Sequence, residues 1–235
     1  MSLKEIVKDS VAILSPCANS VEPRAYQFAM VIASAASASG FPVRQVGVTE
    51  RTLIHTARNV LANEFLATDC EWAFWLDSDM VLPANTIPVM IRWAKKLNAQ
   101  FLTGVYYQRV GDHKPLVLLR NEDRVNYKED YEHSMVIVPE GNKTPFKVHC
   151  CGFGCVLMHR DVLMKMDQPF FKYEYPPGKR ELSEDFYFCI NARKKGIDLW
   201  AIPELTCGHI GQAPIITKKD FKFEGKTVPV KLETQ

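Results

Sequence analysis

The chain has 235 residues, of which 47% are hydrophobic, 24% charged and 11% aromatic. That is apolar material enough for a core in one large globular domain, and it excludes a disordered chain. Lys plus Arg number 29 and Asp plus Glu 27, a formal net charge of +2, which excludes a strongly basic coat for nucleic acid but allows a local basic stripe. No apolar run approaches the roughly 20 residues of a membrane-spanning helix. The opening MSLKEIVKDS has acidic residues and no uninterrupted apolar stretch, so no signal peptide is expected. The cysteines at 17, 70, 150, 151, 155, 189 and 207 are odd in number and scattered, and they read as free thiols of a reducing cytoplasm.

In chain order, Val11 to Leu14 predicts a buried strand stopped by Ser15-Pro16. Residues 22–39 are Ala-rich with a polar start, and Gly40-Phe-Pro42 ends them as a helix terminus should. Val43 to Val48 predicts a second strand. Thr52 to Thr68 predicts a helix, with Leu53, Ala57, Val60, Leu61 and Phe65 at helical spacing. Glu71 to Leu76 is a continuous apolar strand that runs straight into Asp77-Ser78-Asp79. Asn85 to Leu97 predicts a helix that tolerates Pro88 only near its beginning, and Phe101 to Tyr107 a further strand. This rhythm predicts an α/β fold, a mainly parallel sheet with helices on both faces.

Residues 111–141 read as short antiparallel strands and loops that cover one edge of the sheet. Lys147 to His159 is strand-like and broken by Gly152 and Gly154, and a short helix follows from about Asp161. Ser183 can cap a helix from Glu184 to Lys195, closed by Gly196. Ile197 to Ile202 predicts a last strand, Cys207 to Gly211 a glycine-flanked turn, and residues 212–235 a polar, lysine-rich peripheral arm. Nothing marks a linker, so residues 1–235 are expected to form one domain.

The strongest chemical signal is Asp77-Ser78-Asp79, at the carboxyl end of an apolar strand, where open α/β sheets bind ligands. Extended spacing puts both carboxylates on one side, about 6–7 Å apart. They can share a divalent cation together with the ribose or phosphates of a nucleotide. An Asp-rich turn is also ordinary turn chemistry. Glu184-Asp185 offers a general base, although acids also suit any helix start. His209, between Gly208 and Gly211, is a candidate ligand whose flanking glycines admit close approach. His149, Cys150, Cys151, Cys155 and His159 lack the usual zinc spacing and read as buried thiols and strand residues. Gly152-Phe-Gly154 lacks the third glycine of a dinucleotide fingerprint. Neither a P-loop nor a G-x-S-x-G elbow occurs.

The order of these segments is more telling than any one of them. Ser15-Pro16-Cys17, Ala57-Arg58-Asn59, Asp77-Ser78-Asp79-Met80, Gly152-Phe-Gly154, Glu184-Asp185 and Gly208-His209 follow one another. From about Val11 to Gly211 the chain resembles a glycosyltransferase of the GT-A fold, close to family 2 and its compact bacterial and bacteriophage members. The resemblance implies a nucleotide-sugar domain with Mn²⁺ or Mg²⁺ and a UDP-sugar donor, in the cytoplasm of a bacterium or a phage-infected host. It implies that Asp77, Asp79 and His209 hold the cation, with Asp77 also on the ribose or the metal-bound nucleotide. Arg58, Ser78 and Glu184 would line the nucleotide sugar, with Pro16 beneath the nucleobase and Gly152 and Gly154 near the donor sugar. Asp185 would be the general base of an inverting transfer of a hexose, with glucose from UDP-glucose the first donor to consider.

The acceptor is a hydroxyl compound, left open among saccharide, protein and hydroxymethylated bases of phage DNA. Its selectivity is expected within residues 112–143. Candidate DNA-facing cations are Arg92, Lys95 and Lys96, then Arg193, Lys194 and Lys195, then lysines 218, 219, 222, 226 and 231. Two rival classes stand beside this reading. One is a metal-dependent nucleotidyl or phosphoryl transferase, with Asp77, Asp79 and Asp185 around two metals. The other is a nucleotide-sugar binding protein without turnover.

Overall fold

The computed structural model describes residues 5–17, 21–49, 52–119, 138, 141–175 and 181–211. The amino-terminal half alternates strand and helix as its periodicity predicts: β1 (Val7–Ser15), α1 (Pro23–Ala38), β2 (Val43–Val48), α2 (Ile54–Leu66) and β3 (Cys70–Leu76). A two-residue strand β4 (Met80–Val81), α3 (Thr86–Leu97) and β5 (Phe101–Val105) follow. Local chemistry sets the ends. Pro23 occupies the first turn of α1, where its missing N–H costs nothing, and the Glu22 carboxylate accepts from the Arg24 N–H. Asn98 closes α3 in the left-handed conformation, at φ 50°.

The second half holds β6 (Val117–Leu118), β7 (Phe146–Val148), β8 (Cys150–Cys151), β9 (Cys155–His159), α4 (Arg160–Lys165), α5 (Glu184–Lys194), β10 (Leu199–Thr206) and β11 (Gly208–His209). Seven strands form the main sheet in the order β2-β1-β3-β9-β5-β10-β7. Five of them run one way. β9 and β7 run against their neighbours, and β9 lies in the middle, with Val156 opposite Trp75 on one side and Thr103 on the other. Buried on both faces, β9 reads as an unbroken apolar run, so its direction left no trace in the pattern.

Alternation along the strands divides the core in two. Ala12, Leu14, Ala73 and Trp75 pack with α2, α4 and α5, whereas Val11, Ile13, Phe74 and Leu157 pack with α1 and α3. The helices therefore cover both faces, as expected. The last main-sheet strand is longer than predicted and begins at Leu199. Cys207 to Gly211 is not simply a turn, because Gly208 and His209 pair with Val81 and Met80. In the expected edge region, β6 pairs with β8. Most of residues 112–143, and the arm at 212–235, lie outside the described residues. Among the described residues no helix is long and apolar enough to cross a membrane.

Candidate active site

The carboxyl ends of β1, β3, β5 and β10 point to one edge of the sheet, which gathers segments distant in sequence. At its centre is the Asp77-Ser78-Asp79 turn, whose main chain is clamped from three sides. The Asp77 N–H donates to the Gly154 carbonyl at 3.3 Å, the Glu22 N–H to the Ser78 carbonyl at 3.1 Å, and the Ile210 N–H to the Asp79 carbonyl at 2.8 Å. The turn ahead of β9, the start of α1 and the segment after β11 thus fix where the two carboxylates project. Pro16 lies just past β1; because Leu14 is level with Trp75, Pro16 comes level with Asp77.

Arg58 projects from the buried face of α2, beside Leu61, Ala62 and Phe65. Its Nη1 donates to Glu184 Oε1, and its Nη2 donates to Asp77 Oδ1 at 3.1 Å. The guanidinium lies over the rings of Phe153 and Phe171, with centroids 5.3 and 5.9 Å away. Burial alone would lower its pKa, but the charges of Asp77, Glu184 and Asp185 outweigh burial and hold it above its ordinary value. A charged side chain only 4% exposed is tolerable because two carboxylates compensate it. Phe153, Phe171, Phe188, Phe101 and Trp75 pack as an aromatic cluster beneath it, Phe171 and Phe188 stacked at 4.8 Å.

Asp79 has different company. Its Oδ2 accepts from Arg109 Nη1 at 2.7 Å and faces His209 Nε2 at 3.3 Å. Burial alone would raise the Asp79 carboxyl, but the His209 hydrogen bond and charge, together with Arg109, hold it below its ordinary value. Burial alone would likewise lower His209, yet Asp79 and the Tyr107 carbonyl hold it raised. That carbonyl lies 2.9 Å from His209 Nδ1. A carbonyl only accepts, so Nδ1 carries a proton and Nε2 is left facing a carboxylate oxygen. Two acceptors so placed require a proton or a cation between them.

That arrangement fits a hard divalent cation, which takes one or two carboxylates and completes its shell with substrate phosphates and water. It fits less well the expectation of Asp77 as a third ligand, because Asp77 is turned to Arg58. Among the described residues no three His, Cys, Asp or Glu side chains converge as a ready cage.

Asp185 lies one residue along α5 from Glu184. Ser183, expected to cap α5 through its side chain, does not do so; its hydroxyl donates to Asp185 Oδ1 instead, and the Phe186 N–H donates to the same oxygen at 2.8 Å. Burial and the Glu184 charge push Asp185 up to about 6, against the pull of Arg58 and these two donors.

Gly152 and Gly154 stand where the main chain meets Tyr106. A Cβ at Gly152 would lie 2.2 Å from the Tyr106 hydroxyl oxygen, and one at Gly154 2.9 Å from its Cζ. The hydroxyl oxygen accepts from the Gly154 N–H at 2.8 Å, and the ring meets His209 edge-on at 5.7 Å. Tyr106 thus braces both the Asp77 turn and His209. Sequence reading did not single out Tyr106, Arg109 or Tyr173, whose hydroxyl pKa is pushed up by burial and by the Glu184 carboxylate near it. Their available signal was position, since Tyr106 and Arg109 directly follow β5 at the ligand-binding edge.

Two solved structures share this architecture. A197 from STIV is 16% identical, with 96% of this chain and 99% of that chain covered at a TM-score of 0.56. GalNAc-T7, solved with UDP, GalNAc and Mn²⁺, is 10% identical, with 85% of this chain but 43% of that chain covered at a TM-score of 0.52. At these identities the likeness is one of fold. No curated protein matches the chain. The family model described as Glycosyl transferase family 2 matches residues 32–167, which run from α1 through the Asp77 turn to just past α4. With the GT-A architecture and the gathered acids in place, that match over more than half of the chain makes it a member of glycosyl transferase family 2.

Proposed function

We propose that this glycosyltransferase moves a hexose from a UDP-sugar, UDP-glucose being the first donor to test, to a hydroxyl acceptor in a metal-dependent, inverting reaction. The observation that carries the reading is the division of one acidic cluster into two environments. Asp79 is held ionised beside His209, whereas Asp185 is held at a raised pKa a short way along the same edge. Pairs of acids pushed apart in this way suit different chemical roles.

Asp79 and His209 would hold Mn²⁺ or Mg²⁺, with Asp77 and Ser78 on the nucleotide side of the same turn. The bound cation supplies positive charge to the diphosphate that leaves. Arg58 keeps Asp77 and Glu184 in place and neutralises them, so that a polyanionic donor meets less repulsion. Asp185 accepts the proton of the acceptor hydroxyl as its oxygen attacks the anomeric carbon. A carboxylate titrating at about 6 is a stronger base than an ordinary aspartate and is still largely ionised at pH 7. Attack from the face opposite the leaving diphosphate inverts the anomeric centre, through an oxocarbenium-like state. Seven buried free thiols suit a reducing cytoplasm.

The test is UDP release across a panel of UDP-sugars with Mn²⁺, with and without saccharide, protein and hydroxymethylated DNA acceptors. Asp185→Asn and Asp79→Ala are each expected to lower turnover by about 100-fold or more. Unchanged turnover in either variant would overturn the role given to that residue. Pyrophosphate release without sugar transfer would favour the nucleotidyl-transfer alternative instead.

A further inference from the structure

Among the described residues two guanidiniums reach the acidic cluster, and they are held in opposite ways. Arg58 is 4% exposed and wedged between two carboxylates and two phenyl rings. Arg109 is 55% exposed, and Asp79 is its ion-pair partner. It stands one residue past the closed base of a hairpin, where Gln108 donates to the Lys114 carbonyl at 2.9 Å and Tyr107 bridges to Pro115. The hairpin tip turns through Gly111 at φ 70° and His113 at φ 49°. The base of the hairpin is anchored, and the long arginine side chain reaches Asp79 from its rim.

The atom Arg109 engages is the telling detail. Its Nη1 donates to Asp79 Oδ2, the same oxygen that faces His209 Nε2. That is the oxygen a cation shared with His209 would use, and an N–H donor and a cation compete for its lone pairs. We propose that Arg109 is a resident counter-ion that occupies the cation position on Asp79 in the free enzyme and passes to the donor diphosphate when the cation arrives. The proposal rests on the reading of Asp79 and His209 as the cation-holding pair.

The charge balance requires such a group. Arg58 is committed to Asp77 and Glu184, so without Arg109 His209 would be the remaining cationic side chain that the described residues bring to the half-buried Asp79 carboxylate. Once a divalent ion is bound, a guanidinium on the same oxygen becomes a repelled neighbour. The diphosphate then offers it a better partner, because its planar fork matches phosphate oxygens with paired hydrogen bonds. Arg109 therefore couples the two ligands: it opposes the cation bound alone and favours the cation with nucleotide.

The experiment titrates Mn²⁺ alone, followed by its electron paramagnetic resonance signal, into the wild type, Arg109→Gln and Asp79→Asn. UDP affinity is then measured by calorimetry in saturating Mn²⁺. Arg109→Gln is expected to bind Mn²⁺ alone about three- to tenfold more tightly than the wild type, the yield of removing one partly exposed ion pair. It is expected to bind UDP with Mn²⁺ about tenfold more weakly, through loss of a charge-assisted contact. Asp79→Asn is expected to lose Mn²⁺ binding. Should Asp79→Asn retain full Mn²⁺ affinity, the cation site itself is misplaced. Should Asp79→Asn lose it while Arg109→Gln binds Mn²⁺ no more tightly than the wild type, the site stands and the counter-ion role is overturned. Tighter Mn²⁺ binding with unchanged UDP affinity would overturn the passage to the diphosphate.

Discussion

At the scale of single residues, the proposed general base Asp185 would set function against stability. Its folded-state pKa is raised from 3.8 to about 6 by burial and by Glu184. Between those values the folded state binds more protons than the unfolded chain, so stability falls as pH rises through that window. Above it, a buried carboxylate is a standing cost. Asp185→Asn keeps an oxygen for the Ser183 and Phe186 donors and removes the charge. It is therefore expected to raise the unfolding free energy at pH 8 by on the order of 1–3 kcal/mol and to leave it unchanged below pH 4. Denaturant titrations at the two pH values check this. A variant that loses transfer while gaining stability is the signature of a group kept for chemistry.

The Asp77 turn, Asp185 and His209 were legible as candidates before the fold was known, because their types, order and neighbours carry chemical meaning. The partners of Arg58 were not. A charged residue on the stripe of Ala57, Leu61, Ala62 and Phe65 is an anomaly visible in helical spacing, yet spacing cannot name the compensating acid. Ser183 shows the converse. Its position before α5 is that of a capping residue, but its hydroxyl serves Asp185 instead. Local propensity places the residue, and a neighbouring carboxylate accepts its hydrogen bond.

At the scale of elements, the decisive contact joins the turn before β9 to the residue after β5. Gly152→Ala would put a methyl 2.2 Å from the Tyr106 oxygen, and overpacking of this kind costs about 1–3 kcal/mol. Tyr106→Phe frees that space but leaves the buried Gly154 N–H without its acceptor, at about 1–3 kcal/mol. The double variant is expected to be more stable than the sum of the single changes predicts, by about 1 kcal/mol or more. A double-mutant cycle in thermal or denaturant unfolding measures the coupling, and strict additivity would show that the two residues do not meet. Most elements lie within a few residues of where their patterns put them. The departures are β4 and β11, too short to carry a period, and the direction of β9. An apolar run buried on both faces has the same pattern whichever way it points.

At the scale of the whole molecule, the near-neutral net charge is locally balanced. Arg92 pairs with Glu204 at 3.2 Å, Lys95 with Asp9 at 2.7 Å and Lys195 with Asp167 at 2.7 Å, while Lys96 lies over Trp93. Arg193 and Lys194 sit in the last turn of α5, where they complement the helix dipole. The basic clusters considered for DNA thus have local roles, and the lysines from 218 onward lie outside the described residues. Duplex DNA is accordingly expected to bind with a shallow salt dependence, a log–log slope of about −2 or smaller in magnitude. A salt series in a binding assay checks this, and a steep slope would favour DNA as an acceptor with several phosphate contacts.

Taken alone, the sequence determined the alternation of strands and helices, the two-faced core and the acids that end β3 and begin α5. Each of these is written in neighbouring residues, through period, capping chemistry and composition. Only the tertiary structure decided that Arg58 bridges Asp77 to Glu184, which lies 126 positions from the arginine, that Arg109 and His209 meet on one oxygen of Asp79, and that Tyr106 fills the space two glycines leave. The reason is physical. Periodicity records which side of an element is buried, whereas the pairing of charges across a sheet edge depends on strand order and direction, which leave no mark in any local stretch of chain.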